Sequence, residues 1–400
     1  MLNVHLNRRH LLASLGVTAA FGGFIPRLAR AAGARDPRLV VIVLRGAMDG
    51  LDAVPPVGDP DFAALRGGFP QDGLIKLDST FSLHPSLVNF SRQFQAGQGL
   101  VIHAVASPYR DRSHFDGQDV LESGMTSPGH TESGWLNRAL SALPNGQTAQ
   151  SGSLARGLGV GGSTPLIMRG PAPALGWAPS SLKAADADLP PRLMALYDES
   201  DPQLAQTLKE AIDTGKIIGG NNVAGAYGGP GDPKTMAAMA QGAAKLLAQP
   251  DGPRLAGLAF EGWDTHAAEP QRLARQLQGL DDSLAAFEST LGPVWNDTAV
   301  LVVTEFGRTA AVNGTNGTDH GTATVALLTG GALKGGRVIS DWPGLKPAQL
   351  YQNRDLAPTT DLRSVAKGLL AGLYDMPDSA MSQSVFPDSA GAKPMRDLIA

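Results

Sequence analysis

Several stretches of the chain are apolar at nearly every position, and they alternate with stretches whose apolar residues recur with helical spacing. An unbroken apolar run is typical of a parallel strand that is covered on both faces. The runs that predict such strands are Arg38–Leu44, Leu100–Ala106, Leu255–Phe260, Ala299–Val303 and Thr322–Leu328. Strands and helices in alternation predict an α/β fold, with helices on both sides of a mostly parallel central sheet in a three-layer α/β/α arrangement.

Helical spacing is clearest over Pro270–Leu291, where leucine or phenylalanine recurs every three or four residues. The other predicted helices are Pro85–Phe94, Ser113–Glu122, Gly134–Leu143, Pro190–Tyr197, Gln203–Ile212, Lys234–Ala248 and a last helix that Thr360 or Asp361 caps and that ends at Tyr374.

The composition changes between residues 144 and 253, where Gly, Ala, Ser and Pro are dense. Short strands are predicted there at Leu158–Val160 and Pro165–Met168. We interpret 144–253 as an inserted Gly/Ala/Pro-rich segment or cap within one α/β domain that spans residues 35–400.

The first 34 residues have the pattern of an export signal rather than of folded structure. Asn7-Arg8-Arg9-His10-Leu11-Leu12 resembles the twin-arginine motif, and an apolar stretch with small residues follows it. We therefore expect the twin-arginine translocase to export the chain to a periplasmic or secreted location. The alternative is a signal anchor that stays in the membrane, but the apolar stretch is shorter than the roughly 20 residues of a membrane span. We expect no integral membrane span after signal removal.

Composition excludes several classes of function. The 400 residues include no cysteine, so the chain has no disulfide, no thiolate metal site and no cysteine nucleophile. The formal net charge is −4, and the chain has no basic run, so binding to nucleic acid is not expected. Neither a Walker A nor a G-x-S-x-G sequence occurs, which disfavours nucleotide-triphosphate and serine-esterase chemistry.

Three short motifs gather acids and histidines next to predicted strands. They contain Asp264 and His266, then Glu305 and Arg308, then Asp319 and His320. Because ligands bind at the carboxyl ends of strands in such sheets, and because Asp, Glu and His ligate divalent cations, these residues predict a metal site. Two alternatives stay open: Asp264 could cap the helix that begins near Pro270, and Glu305 could form an ion pair with Arg308.

Two further segments follow predicted strands. Asp49 comes after the first strand and is a possible metal ligand, although Asp-Gly is also an ordinary turn pair. Arg45 and Arg308 could bind an anionic group. Ser113 opens a predicted helix, where its hydroxyl could be a nucleophile that faces a bound ester, or it could simply be the N-cap that precedes a partly exposed His114.

The motifs together resemble the bacterial domain of unknown function 1501 family. They are the twin-arginine signal, Leu44–Leu51, Ser113–Asp119, Gly262–His266, Thr304–Arg308, Thr318–Gly321 and Thr360–Arg363. That resemblance implies an alkaline phosphatase-like, sulfatase-like core with one or two divalent metals at the strand ends. It also implies that Asp49, Asp264, His266 and His320 match metal-ligand positions and that Ser113 matches the nucleophile position. Two departures are the Glu305-to-Arg308 segment, where an Asp-His pair is usual, and the surroundings of Ser113.

These observations favour an exported metal-dependent hydrolase of phosphate or sulfate esters, acting on a small-molecule or polysaccharide ester. The expected cofactor is a divalent metal, namely zinc, manganese, calcium or magnesium. The main alternative is a non-catalytic exported protein that retains the fold for binding or assembly. A metal-bearing oxidoreductase is a third possibility.

Overall fold

Strand β1 (Arg38–Leu44) lies inside the central sheet, and all seven of its residues are buried. The computed structural model describes residues 35–143, 157–179, 188–219, 229 and 231–400, so the predicted signal segment 1–34 lies outside the described residues. Successive side chains of β1 point to opposite faces of the sheet. Val40, Ile42 and Leu44 pack into one core and Leu39, Val41 and Val43 into the other. Both faces of the sheet are therefore covered.

The strands that join β1 in this sheet follow it along the chain. They are β2 (Gly99–Ala106), β3 (Gly157–Val160), β4 (Ala174–Trp177), β5 (Leu255–Phe260), β6 (Thr298–Thr304), β7 (Thr324–Thr329), β8 (Arg337–Ile339) and β9 (Thr360–Asp361). Among the described residues the spatial order is β8-β2-β7-β6-β1-β5-β3-β4, with β9 also paired to β2. Only β7 runs antiparallel to its neighbours, which are β2 and β6. The prediction of an α/β fold with a mostly parallel sheet is confirmed.

Helices cover both faces of the sheet. They are α1 (Val88–Gln95), α2 (His114–Ser123), α3 (Trp135–Ala142), α4 (Leu189–Ser200), α5 (Pro202–Ile218), α6 (Pro233–Leu247), α7 (Glu269–Leu291) and α8 (Leu362–Tyr374). One core receives apolar side chains from α1, α6 and α7, and the other receives them from α3 and α8. The predicted cap of the last helix is present, because the Asp361 carboxylate accepts a hydrogen bond from the Arg363 amide.

The region 144–253 contributes to two different parts of the molecule. Strand β3 pairs with β5, and β4 pairs with β3, so both extend the central sheet. Helix α6 packs its buried methionines and leucines onto one face of that sheet. Helix α4, in contrast, has no buried residue. The expected strand at Pro165–Met168 is instead a single 3-10 turn at Leu166–Met168, in which three consecutive apolar side chains are buried.

Smaller elements lie outside the main sheet and the eight long helices. A two-stranded antiparallel ribbon pairs Ile75–Lys76 with Ser82–Leu83, and short helices lie at Gly50–Ala53, Phe62–Arg66 and Asp378–Ala380. Residues 37–400 form one compact unit. Within the described residues, no helix combines the length and the apolar character that crossing a membrane requires.

Candidate metal centre

Three connections of the sheet bring acids and histidines to its carboxyl edge. Asp264 follows β5, Glu305 follows β6, and His114 lies in the segment after β2 as the first residue of α2. His320 precedes β7, and because β7 is antiparallel its amino end lies at the same edge. His114, Asp264 and His320 each offer one ligand atom, and these three atoms lie within 4.8 Å of one another.

The Nε2 atoms of three histidines surround the Asp264 carboxylate. His266 Nε2 lies 3.0 Å from Asp264 Oδ1, His320 Nε2 lies 3.4 Å from the same oxygen, and His114 Nε2 lies 3.5 Å from Oδ2. His266 Nε2 is also 2.9 Å from His320 Nε2. His114 Nε2 is buried, and its contact with Asp264 Oδ2 is at the long limit of hydrogen-bond distance. A donor set of three imidazoles and one carboxylate suits zinc and other borderline divalent cations.

Each of these histidines is held from behind through its Nδ1 atom. His114 Nδ1 is 2.8 Å from Glu305 Oε1, His266 Nδ1 is 3.2 Å from Asp319 Oδ1, and His320 Nδ1 is 3.0 Å from the Arg112 carbonyl. Metal-ligating histidines nearly always donate their second ring N–H to such an acceptor, which fixes the tautomer and the ring orientation. The residues present therefore fit a bound divalent cation.

Glu305 lies behind His114 instead of beside the three Nε2 atoms. Its Oε1 accepts from the Gly46 amide at 2.9 Å and from Gln118 Nε2 at 3.0 Å. Burial opposes ionisation of this carboxyl, but the hydrogen bonds from His114 and Gln118 outweigh burial and lower its pKa. Hydrogen bonds to Asp264 and Glu305 raise the pKa of His114 to about 9. Glu305 thus orients a histidine, which differs from the ligand role that we expected.

Arg308 fixes the Asp264 carboxylate. It is 1% exposed, and its Nη1 donates to Asp264 Oδ1 at 2.7 Å. Its Nε donates to Thr318 Oγ1 at 3.1 Å and its Nη2 to the Thr318 carbonyl at 2.5 Å. Burial opposes the charge on Asp264, but hydrogen bonds to His114, His320 and Arg308 lower its pKa below the ordinary range. Arg308 therefore pairs with Asp264, not with Glu305, and its buried guanidinium is engaged by protein groups instead of facing an anionic ligand as we expected.

A second layer of buried charge lies behind Arg308. Thr318 Oγ1 donates to Glu269 Oε2 at 2.6 Å, and Glu269 is fully buried. Burial and the negative charge of Asp49 raise the pKa of Glu269 to about 9. Asp49 itself accepts from Arg66 Nη1 at 2.5 Å and from the amides of Leu51 and Asp52. Asp49 is thus a helix N-cap in a buried ion pair, which differs from its expected role as a metal ligand.

The remaining expected site residues lie around the centre. Ser113 is the N-cap residue of α2, but its side chain makes no capping hydrogen bond. Asp319 contacts His266 and is accessible to solvent. Arg45 forms ion pairs with Glu122 at 2.6 Å and with Glu261 at 3.2 Å. The alternative in which Asp264 caps α7 is excluded, because Ala268 occupies the cap position.

Sequence reasoning missed His114 as a member of the cluster. Its place one residue after Ser113, at the start of a helix that follows a core strand, was the available signal. Phe306 supports the ring from one side, with the two ring centroids 5.1 Å apart and nearly parallel. Arg112 was also missed. It adopts a left-handed φ of 62°, presents its carbonyl to His320, and pairs with the buried Asp355.

Comparisons with solved structures show which proteins the chain is similar to. Alkaline phosphatase from the Antarctic bacterium TAB5 matches at 12% identity and a TM-score of 0.36, over 76% of this chain and 94% of that chain. Ps i-CgsB in complex with k-i-k-neocarrahexaose matches at 12% identity and a TM-score of 0.39, over 90% of this chain and 77% of that chain. A protein in the alkaline phosphatase superfamily from Vibrio parahaemolyticus matches at 11% identity and a TM-score of 0.34, over 77% of this chain and 63% of that chain.

Family assignment rests on a different comparison. No curated protein shows significant similarity to the chain. The family model described as protein of unknown function (DUF1501) matches residues 76–384, which is most of the chain and includes the three histidines, Asp264 and Glu305. The sequence resemblance is confirmed, and the chain belongs to the DUF1501 family.

Proposed function

We propose that the protein is an exported metal-dependent hydrolase of phosphate or sulfate esters. The observation that carries this proposal is the convergence of His114, His266 and His320 on Asp264, with every Nδ1 atom held by an acceptor behind it. A structural role alone does not require three imidazoles to turn their Nε2 atoms to one point at a ligand-binding edge.

His114, Asp264 and His320 would hold the cation. A divalent cation at this position supplies Lewis-acid charge to the non-bridging oxygens of the ester. Zinc fits the imidazole-rich donor set best, and manganese, calcium and magnesium are the other members of the expected set. Glu305, Asp319 and the Arg112 carbonyl keep the three rings in place, and Arg308 keeps the Asp264 carboxylate in place.

Ser113 is the side chain best placed to attack the ester. It immediately precedes His114, and its hydroxyl is not used in capping α2. The amino end of α2 favours a negatively charged group, because its free amides and its dipole both point there. We propose that this end of the helix holds the anionic part of the ester while Ser113 Oγ attacks the phosphorus or sulfur atom and the bond to the alcohol oxygen breaks. The hydroxyl proton passes to solvent, and water then hydrolyses the serine ester to release phosphate or sulfate.

The leaving alcohol needs a proton, and we propose that His266 supplies it instead of acting as a ligand. Its ring is about half exposed, with 45% of the side chain accessible. Asp319 holds its Nδ1 atom. An exposed imidazole with a carboxylate behind it is a common arrangement for general acid and base catalysis.

The decisive test is a metal and activity measurement on matched variants. Elemental mass spectrometry is applied to the wild type, to Asp264→Ala and His320→Ala, and to the exposed-histidine control His130→Ala. We expect stoichiometric metal in the wild type and control, loss of metal in the two site variants, and metal-dependent hydrolysis of aryl phosphate or sulfate esters. Metal that binds normally without any ester hydrolysis would favour the binding or assembly role. No metal in the wild type after addition of divalent ions would overturn the proposal.

Export is the second part of the proposal, and it rests on Arg8 and Arg9 in the motif described above. Replacing both with lysine keeps the charge but changes the paired guanidinium groups. We expect the double variant to stay in the cytoplasm, as measured by cell fractionation, while the wild type appears in the periplasm or the medium. Equal export of both proteins would contradict the twin-arginine route.

A further inference from the structure

A cleft lies at the carboxyl edge of the sheet, beside the candidate metal centre. Its volume is about 450 Å³, within the range of small-molecule sites. Its walls include residues that follow β1, β3, β4 and β5, and its polar side chains are Arg45, Ser163, Arg169 and Glu261. Apolar contact surface comes from Pro165, Pro179 and Met239. None of these side chains takes part in the metal cluster.

A buried carboxylate organises this cleft. Glu122 is 1% exposed, and its Oε1 accepts from Arg45 Nη2 at 2.6 Å and from Nε at 3.2 Å. Its other oxygen accepts from the Ile167 amide at 3.0 Å, which fixes the turn that precedes Arg169. Arg45 Nη1 then donates to Glu261 Oε1 at 3.2 Å. The polar groups of the cleft are therefore held in place before a ligand arrives, which lowers the entropic cost of binding.

The cleft and the metal centre share two structural elements. Arg45 is followed directly by Gly46, whose amide donates to Glu305 behind His114. Helix α2 carries His114 at its first residue and Glu122 in its last turn. Eight residues of helix span about 12 Å. A ligand that occupies both places must therefore extend beyond the size of a simple phosphate or sulfate ion.

The charges of the cleft cancel, which indicates the chemistry of its ligand. Arg45 and Arg169 are positive, whereas Glu122 and Glu261 are negative, so no excess charge attracts a second anionic group. The Arg45–Glu261 pair offers donors and an acceptor side by side, which matches neighbouring hydroxyl groups that both donate and accept. The proline and methionine surface matches the apolar face of a sugar ring.

We propose that this cleft binds an uncharged sugar unit, which forms the alcohol part of the ester that the metal centre cleaves. The link to catalysis rests on the proposed hydrolase function, whereas sugar binding by the cleft is independent of it. The substrate class is therefore a phosphate or sulfate ester of a carbohydrate in which the sugar next to the ester carries no charge.

The test measures binding of neutral hexasaccharides by saturation-transfer NMR, with maltohexaose, cellohexaose, xylohexaose and an agarose-derived hexasaccharide as probes. Gly162→Phe fills the cleft, because a Cβ at Gly162 meets no atom within 4 Å and the backbone there is not left-handed. Gly215→Phe in α5 is the matched control, with equally open space around its Cβ. Glu261→Ala removes the exposed acceptor.

We expect at least one neutral probe to bind the wild type, Gly215→Phe and the metal-free Asp264→Ala variant. Gly162→Phe and Glu261→Ala should weaken that binding by about tenfold or more. Binding that is unchanged in both cleft variants, or binding only of a polyanionic heparin hexasaccharide, would overturn the proposal. Ester hydrolysis without any neutral-sugar binding would overturn the cleft proposal and leave the hydrolase proposal intact. Sugar binding without ester hydrolysis would overturn the hydrolase proposal and leave sugar binding by the cleft intact.

Discussion

Glu305 Oε1 lies 2.8 Å from His114 Nδ1, and the same oxygen also accepts hydrogen bonds from Gly46 and Gln118. Three donors on one buried oxygen hold the carboxylate, and through it the imidazole, in a single orientation. The position of His114 Nε2 is therefore set by residues from three separate segments of the chain.

Replacing Glu305 with glutamine tests this relationship. The variant keeps the size of the side chain but loses the charge that favours donation from His114. We expect metal affinity to fall by about tenfold to a hundredfold, as is typical when the acceptor behind a ligating histidine is changed. Competition with a zinc-binding dye measures the affinity. Glu210→Gln, at a partly exposed position of α5, is the control, and equal affinities in the two variants would argue against an orienting role.

Metal binding should release a proton. The pKa of His114 is raised to about 9 by its hydrogen bonds to Asp264 and Glu305, and the ring must be neutral to ligate a cation. Affinity should therefore increase as pH rises toward 9. Calorimetry at pH 7.5 in two buffers with different heats of protonation should show release of about one proton. The raised pKa also means that protonated His114 stabilises the metal-free fold. This contribution is complete at a pH below 6.5, which is the pKa of histidine in the unfolded chain, and it is lost as pH rises through about 9.

His114→Ala provides the comparison for that experiment. The variant lacks the group that titrates, so the pH dependence of its residual metal affinity should be smaller. A wild type that releases no proton at pH 7.5 would contradict the raised pKa.

Glu269→Gln should flatten the dependence of stability on pH. Burial and the charge of Asp49 raise the pKa of Glu269 to about 9, compared with 4.5 in the unfolded chain. The contribution of this carboxyl to stability is therefore complete below about pH 4.5 and is lost as pH rises toward 9. One proton gives a slope of about 1.4 kcal/mol per pH unit in the unfolding free energy. Glutamine is neutral at every pH, so urea titrations between roughly pH 5 and 8 should show this slope reduced in the variant. A slope equal to that of the wild type would exclude a neutral Glu269.

Gly46→Ala should disturb both folding and the metal centre. Gly46 has a φ of 120°, and a Cβ there would lie 2.4 Å from the Asp264 amide nitrogen. The added methyl group must displace the segment that carries Asp264. We expect a loss of about 1–3 kcal/mol in the free energy of unfolding, together with lower metal occupancy. Gly162→Ala is the control, since nothing lies within 4 Å of its Cβ. Unchanged stability and occupancy in Gly46→Ala would contradict the close approach.

The fold could be predicted well where burial alone decides the structure. The unbroken apolar run Arg38–Leu44 is a strand with the expected bounds, and the periodic pattern of Pro270–Leu291 is a helix that begins one residue earlier. The pattern did not separate a strand from a short helical turn at Leu166–Met168, because three buried apolar residues in a row fit both. The antiparallel direction of β7 could not be read from its residues either, since direction depends on the neighbours.

The location of the site could be predicted from the sequence, whereas the roles of several of its residues could not. Asp264, His266 and His320 meet as expected because they border strands that end at one edge. The roles of Asp49 and Arg308 depended on the positions of Arg66 and Asp264, and sequence separation gives no measure of such contacts. The sequence predicts His114 only as a partly exposed helix residue for the same reason, since its partner Glu305 is distant along the chain.

The antiparallel pairing of β6 with β7 has a consequence for how this site can be inherited. Because the two strands are adjacent and run in opposite directions, the connection between them leaves and re-enters the sheet at one edge. That single excursion, residues 305–323, carries Glu305, Arg308, Asp319 and His320. A short deletion in the gene could therefore erase much of the centre while both strands stay paired. Relatives that have lost the chemistry and kept the architecture are expected to differ first within this excursion.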